Sequence, residues 1–360
     1  MTKKDIKLLK VFGFDVPESK VRSKSKVKTQ YTLTKDLIRR LDLRGNVAFE
    51  IIDEAYKMKL KIFGNIEEKD KLLIARGKDF TKVMTSKDCF KLNNNVSYLF
   101  SDCNFMTSIN LSNIDTSNVT DMSYMFSGCQ ATSIDLSNLD TSNVTNMRGM
   151  FSDCQATSID LSNLDTSNVT DMSYMFYKCQ ATSINLSNVN ASNVIDMSYM
   201  FFRCAATIIE FINFKTLNVT SMKDMFSECK VESLDLSSFN TSNVIDMSGM
   251  FSGCKVKSLD LSSFNTSNVI NMSRMFSDCK LISRNLKNFK TSKVTDMSYM
   301  FSYCKSRLLN LNNFDTSSVI NVNNILSGCK AKIKGIDDIK KLIGYQEPVQ
   351  LPRYSAKDYD

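Results

Sequence analysis

Nine cysteines, Cys129, Cys154, Cys179, Cys204, Cys229, Cys254, Cys279, Cys304 and Cys329, follow one another at a constant spacing of 25 residues. A period of that size marks a solenoid or array, whose units are too small to bury their own apolar faces and must stack on their neighbours. The same register carries Val119, Val144, Val169, Val194, Val219, Val244, Val269, Val294 and Val319. It also carries Met122, Met125 and Phe126 through to Met297, Met300 and Phe301, before drifting to Val322, Ile325 and Leu326 in the final copy. A partial copy, Val96, Leu99, Phe100 and Cys103, precedes the first full one.

Two apolar periods alternate within each unit. In Val119, Met122, Met125, Phe126 and Cys129 the spacing of three, three, one and three predicts a short helix. Ser117 or Asn118 would cap it, and Asp121 would sit in its first turn near the positive end. In Val231, Leu234, Leu236 and Phe239 the central pair alternates, which predicts a short strand. One strand and one helix per unit is the arrangement of an α/β leucine-rich-repeat solenoid. The expectation is a right-handed solenoid over residues 93–330, made of the partial repeat and nine full ones.

Charge divides the chain. Residues 1–95 carry 23 Lys/Arg against 13 Asp/Glu, whereas the remaining 265 carry 23 against 25, so the net charge of +8 belongs to the N-terminal part. Residues 1–30 read as a basic flexible arm and 31–92 as a small helical capping module, with helices expected over 34–45, 46–63 and 67–76. Residues 331–360 complete the chain as a C-terminal cap and tail.

Composition removes several chemistries. The chain has no His and no Trp, so imidazole metal sites, Ser-His-Asp triads and Cys-His pairs are excluded. No Cys-x-x-Cys pair occurs, so zinc spacing is missing. Helices packed about 8 to 10 Å apart would hold equivalent cysteines beyond the roughly 7 Å limit for a bridge. They are therefore expected to be buried thiols, which suit a reducing compartment. The repeat methionines lie on the same stripe as Val and Phe and are expected as core filler rather than copper ligands. No metal and no cofactor are expected. Lysines interrupt every N-terminal apolar stretch, and no apolar run reaches about 18 residues, so neither a secretory leader nor a membrane span is expected and the cytoplasm is favoured.

The outward strand positions would form the concave sheet face of such a solenoid. Two of their columns are mostly serine, and between them runs Asn110, Asp135, Asp160, Asn185, Glu210, Asp235, Asp260, Asn285 and Asn310. Carboxylates stacked one strand apart are expected to raise one another's pKa unless a cation or a basic partner covers them. Acid pairs such as Asp235 and Asp260 lie on an open surface without the dry pocket that acid-base catalysis needs, so no enzyme is expected. One unit breaks the serine pattern. Ile208 and Ile212 replace Ser on the sheet face, Leu217 replaces the Ser of Thr-Ser-Asn, and Phe202 replaces a helix-end Ser one unit after Tyr177. These apolar residues, with Asp135, Asp160, Glu210, Asp235 and Asp260 around them, are the candidate contacts for a protein partner. Neutral drift, or packing against the N-terminal module, would leave the same pattern. A second reading uses Lys20, Arg22, Lys24, Lys26 and Lys28, which alternate along the arm and would attract nucleic acid or another polyanion, with the repeats as a spacer.

The wording of the units, Leu-Asp-Leu-Ser-Ser-Phe-Asn-Thr-Ser-Asn-Val-Ile-Asp-Met-Ser-Gly-Met-Phe-Ser-Gly-Cys over 234–254, resembles the BspA-like leucine-rich repeat surface proteins of bacteria. The resemblance covers roughly residues 93–330. It implies a binding or adhesion solenoid rather than a catalyst, displayed at a cell surface.

Overall fold

The computed structural model describes 90–92, 94–103, 108–111, 114–256, 259–279 and 286–335, together with the backbone of four earlier strands. Within those limits the chain is a stack of tandem coils built from short strands and turns. The strands that carry the stack are β5 (Phe90–Lys91), β6 (Ser108–Asn110), β7 (Ile114–Asp115), β8 (Ser133–Asp135), β9 (Ser158–Asp160), β10 (Ser183–Asn185), β11 (Ile208–Glu210), β12 (Leu308–Asn310) and β13 (Lys332–Lys334). They pair in parallel and in register, one repeat apart: Ser133 meets Ser108, Ser158 meets Ser183, and Ser183 meets Ile208. Isolated parallel bridges run down a second column from Asn95 and Asp121 to Asp296 and Asn321, and so continue the stack through the middle units.

The expected helix is not one. Residues 123–128 form consecutive turns, and two residues per coil take a left-handed conformation, Tyr124 at φ 53° and Gly128 at φ 65° in the first full copy. An α-helix tolerates no such residue in its interior. Every second amide closes a tight turn, as Met125 does on the Met122 carbonyl and Cys129 on the Phe126 carbonyl. The amides between them leave the coil. Those of Met122, Tyr124, Phe126 and Gly128 donate to the carbonyls of Asn146, Arg148, Met150 and Ser152 in the next copy, at 2.7 to 2.9 Å. The same four bonds recur at every junction down to 297–303. Tight turns bring the chain back inward every three residues, which is why the apolar spacing imitates a helical stripe.

The expected cap has another job. Asn143, Asn168, Asn193, Asn218, Asn243 and Asn268 donate from Nδ2 across to a carbonyl of the preceding coil, as Asn168 does to Ser142 at 2.7 Å. Asp121 accepts the Ser123 amide at 2.9 Å, an Asx turn rather than a helix-end charge. Buried threonines join the coils from inside. Thr241 Oγ1 donates to the Asn265 carbonyl at 3.0 Å and accepts the Asn265 amide at 2.8 Å.

One continuous core fills the stack. Val119, Met122, Met125, Phe126, Cys129 and their equivalents through Met300 are almost wholly buried. The phenylalanines stack face to face, Phe126 on Phe151 at 5.3 Å between centroids and Phe201 on Phe226 at 5.3 Å. Each such pair adds about 0.5 to 1.5 kcal/mol beyond its buried area. The coil spacing is thus a strand spacing and not the 8 to 10 Å expected of packed helices. None of the ten described cysteines forms a disulfide. A coil spacing of about 4.8 Å does not itself keep them beyond bridging range, so the expected reason does not hold.

The N-terminal expectation also needs correction. Over 46–76, where two helices were expected, β1 (Val47–Ile51), β2 (Met58–Phe63) and β3 (Leu72–Arg76) pair antiparallel, and β4 (Val83–Thr85) extends the sheet. The runs Val47 to Ile51 and Met58 to Phe63 are rich in Val, Ile and Phe, which favour strands. The expected helix over 34–45, the arm 1–30 and the tail beyond 335 lie outside the described residues. Among the described residues the remaining departure from strand and turn is the 3-10 turn Leu286–Asn288. Among the described residues no helix is long and apolar enough to cross a membrane.

Candidate functional site

The strand column determines where the candidate contacts stand. In β11 the middle residue Ile209 points into the core, so Ile208 and Glu210 point outward. Ile212 follows two residues later, and its carbonyl accepts the Asn188 amide at 2.8 Å, which fixes the backbone beneath it. Ile208 is 55% exposed and Ile212 63%, large values for isoleucines in two columns that are mostly serine, with Leu308, Lys287 and Asn312 as the later exceptions. Leu217 is exposed as well, in the turn that follows, with its carbonyl bound by Asn243 Nδ2 at 2.9 Å. These three side chains therefore sit outward in a single coil.

Phe202 lies elsewhere. It belongs to the turn ladder, stacked on Tyr177 at 5.2 Å, edge-on to Tyr199 at 5.7 Å, and covered by the Arg203 guanidinium at 5.2 Å. Tyr174 joins the group by stacking on Tyr199 at 4.8 Å. Arg148 lies over Tyr174 at 4.5 Å and donates to the Tyr124 hydroxyl at 3.2 Å and the Ser173 hydroxyl at 2.6 Å. The buried Cys204 and Ala206 form the corner between Phe202 and Ile208. The replacement at 202 is thus part of an aromatic and cationic brace between coils, not part of the strand-face patch.

The acidic column stands outward as expected, but its electrostatics are the reverse of the expectation. Asp135 accepts the Ser137 hydroxyl at 2.6 Å and the Ser137 amide at 3.0 Å, and these bonds hold its carboxyl below the ordinary value. Ser237 does the same for Asp235. For Asp160 burial pushes upward, yet the Ser162 amide and hydroxyl and the Asn185 side chain outweigh it and the result is again low. Asp260 accepts the Ser262 amide at 2.9 Å. Repulsion between stacked acids does act in the neighbouring column, where Asp115 and Asp165 press Asp140 upward, but the Ser142 bonds win and Asp140 ends low. Asp135, Asp160 and Asp235 are thus engaged in Asx turns that favour the charged form. Among the described residues no group of three or more metal-ligating side chains converges.

A further exposed column escaped the sequence reading. Ile195, Ile245, Ile270 and Ile320 occupy the position that Thr120, Thr145 and Thr170 hold in earlier copies, and all four isoleucines are exposed. The signal was present in the alignment of the repeats. It went unread because the position was assigned to a helix, where facing would follow a different period. An open hollow of about 580 Å³ beside the 3-10 turn is lined by Lys287, Phe289, Lys290, Asn313 and Asp315 and includes none of the candidate contacts. Lys20, Arg22, Lys24, Lys26 and Lys28 fall outside the described residues.

No curated protein and no solved structure matches the chain. The family model described as "Mycoplasma protein of unknown function, DUF285" matches it three times, over residues 94–214, 186–259 and 220–339. The overlapping matches begin at the first coil, run the length of the repeats, and together take in more than half of the residues, so the chain belongs to this repeat-containing family.

Proposed function

We propose that the chain is a non-catalytic, protein-binding repeat scaffold whose partner docks on the outward strand face. The observation that carries this reading is the exposure of Ile208 and Ile212 side by side in one coil, in two columns that the neighbouring coils fill with serine. Large apolar side chains at the centre of a polar face are the usual anchors of a protein interface. Around them Asp135, Asp160, Glu210, Asp235 and Asp260 supply fixed negative charge, which suits a partner with an apolar knob and a basic rim. The stack of parallel-paired coils and the resemblance to BspA-like surface proteins support adhesion or scaffolding.

The double variant Ile208→Ser/Ile212→Ser restores the serine pattern of the neighbouring coils, so it keeps the fold. Its binding to partners captured by the unaltered chain is expected to weaken by about 2 kcal/mol or more, the scale of an anchor residue. Unchanged affinity for every partner would defeat the reading. A second reading rests on the +10 excess of residues 1–95: the arm carrying Lys20, Arg22, Lys24, Lys26 and Lys28 binds a polyanion, and the repeats space it. Deleting residues 1–30 separates the two, because only the second reading then loses its partner.

A further inference from the structure

The corner of the coil that follows the strand column carries opposite charge toward its two ends. One column along it reads Asp115, Asp140 and Asp165 in three successive copies, reaches Lys215 midway, and ends on Lys290 and then Asp315. Buried threonines hold this column in register: the amides of Asp140, Asn240 and Lys290 donate to Oγ1 of Thr116, Thr216 and Thr266 at 2.8 to 2.9 Å. Asp140 and Asp165 are exposed, and the hydroxyls and amides of Ser142 and Ser167 hold both carboxyls below the ordinary value, so they carry charge. In the copy of Lys290 the nearby Lys287 and Lys293 are exposed as well. Among the described residues none of these three lysines forms an ion pair, and Lys293 donates to the Asn268 side chain at 2.8 Å.

The two charged groups stand at equal distances from an apolar centre. Asp140 lies 75 residues, or three coils, before Lys215, and Lys290 lies three coils after it. Three coils are about 14 Å of stack. Lys215 is flanked by Ile212 and Leu217, 63% and 50% exposed. A second copy turned end for end about this central coil lays its lysines on the acids, its acids on the lysines, and Ile212 and Leu217 on their own counterparts. That is the self-complementary pattern of a two-fold interface, where each residue of a pair meets the other twice. A copy docked without the turn would set acid on acid. An unrelated partner would need a basic group, an apolar centre and an acidic group at the same two separations, which this chain already has. Two like-charge meetings remain: Lys215 with its own counterpart at the axis, and Asp115 with Asp315, which lies one coil from Lys290.

We propose that this corner is the contact of a two-fold, antiparallel dimer of the chain. Asp115, Asp140 and Asp165 of each copy face Lys287, Lys290 and Lys293 of the other, with Ile212 and Leu217 at the axis. The proposal rests on the reading of Ile212 and Leu217 as contact residues and names a second copy as what they contact.

Sedimentation equilibrium of the full chain over a concentration series is expected to show monomer and dimer alone, with the dimer weakening about ten-fold or more from low to high salt. Lys287→Glu/Lys290→Glu/Lys293→Glu and Asp140→Lys/Asp165→Lys are each expected to be monomeric. Their mixture is expected to dimerise, because both charge groups are then matched. Lys215→Ser removes the repulsion at the axis and is expected to tighten the dimer about three-fold. Carbodiimide, which joins a lysine to a carboxylate in contact with it, is expected to link Lys290 to Asp140. Within one copy these two lie six coils, about 29 Å, apart, so the link must run between copies. If the aspartate variant does not fold, the salt series, the lysine variants and the cross-link decide. A chain that stays monomeric, a dimer indifferent to the lysine changes, a weaker dimer in Lys215→Ser, or an open-ended assembly would each overturn the proposal. A monomeric chain leaves the anchoring of another protein by Ile208 and Ile212 standing, since that reading is decided by its own double variant.

Discussion

Gly149 sits at φ +59° directly against the ring of Tyr124 in the preceding coil, where an added Cβ would lie 2.3 Å from the ring carbon Cε1. Tyrosine fills the equivalent position in other copies by stacking on the preceding ring, but here the Tyr124 ring lies where a Cβ at 149 would go. Gly149→Ala is expected to destabilise the stack by about 2 kcal/mol or more, adding left-handed strain to overpacking. Adding Tyr124→Ala should recover the overpacking part and leave the strain. Chemical denaturation of the two single variants and the double variant measures that coupling. A fully additive cycle would mean that the ring contact is absent.

Threonine is the second device that holds neighbouring coils together. Thr241→Val preserves shape but strips both bonds to Asn265, so a buried amide and a carbonyl lose their partner. The expected loss is about 2 kcal/mol. One copy already lacks the device, because Ala191 stands where the others have Thr. Ala191→Thr should therefore stabilise the chain by about 1 kcal/mol, read as a higher denaturation midpoint.

The acidic columns predict a pH response with a definite sign. Asp135, Asp140, Asp165 and Asp235 have folded values below the ordinary 3.8, chiefly through the serine hydroxyl two residues on and then its amide. A lowered folded value means that folding favours the charged form. Their contribution is complete above about 3.8 and disappears as the pH falls through the lowered values. Ser137→Ala should move the Asp135 titration upward, followed by carbon-detected NMR of its carboxyl. An Asp135 that titrates at or above 3.8 in the unaltered chain would contradict the Asx-turn account.

Thiol reactivity should follow position in the stack. Cys254 is buried and pushed up to about 12, chiefly by desolvation, whereas Cys329 in the last coil is only half-buried. Maleimide labelling of the native chain, located by peptide mass spectrometry, should modify Cys329 and spare Cys254 until denaturant is added. Rapid native labelling of Cys254 would show that the stack opens.

The repeat period, the core set and the outward Ile208, Ile212 and Leu217 were legible in the sequence because they depend only on which side chains face inward. The backbone was not. A row of three-residue turns and a helical stripe impose nearly the same spacing on Val119, Met122, Met125 and Phe126, so periodicity alone cannot tell them apart. The distinguishing signal was Gly128, Gly149, Gly249, Gly253 and Gly328 at two fixed positions of the unit, which a helix has no reason to favour. The tyrosines and acids that occupy those positions in other copies concealed it. The carboxylate direction was missed for a related reason. Repulsion between stacked acids can be foreseen from spacing, whereas an Asx bond to Ser137 needs the turn geometry.

The central claim is that the coils are joined by a one-directional amide ladder in place of a helix. A through-hydrogen-bond scalar coupling measured by NMR from the Phe126 amide nitrogen tests it directly. The account predicts a coupling to the carbonyl carbon of Met150 in the next coil. A coupling instead to the Met122 carbonyl, four residues back, would show an α-helix and contradict the account.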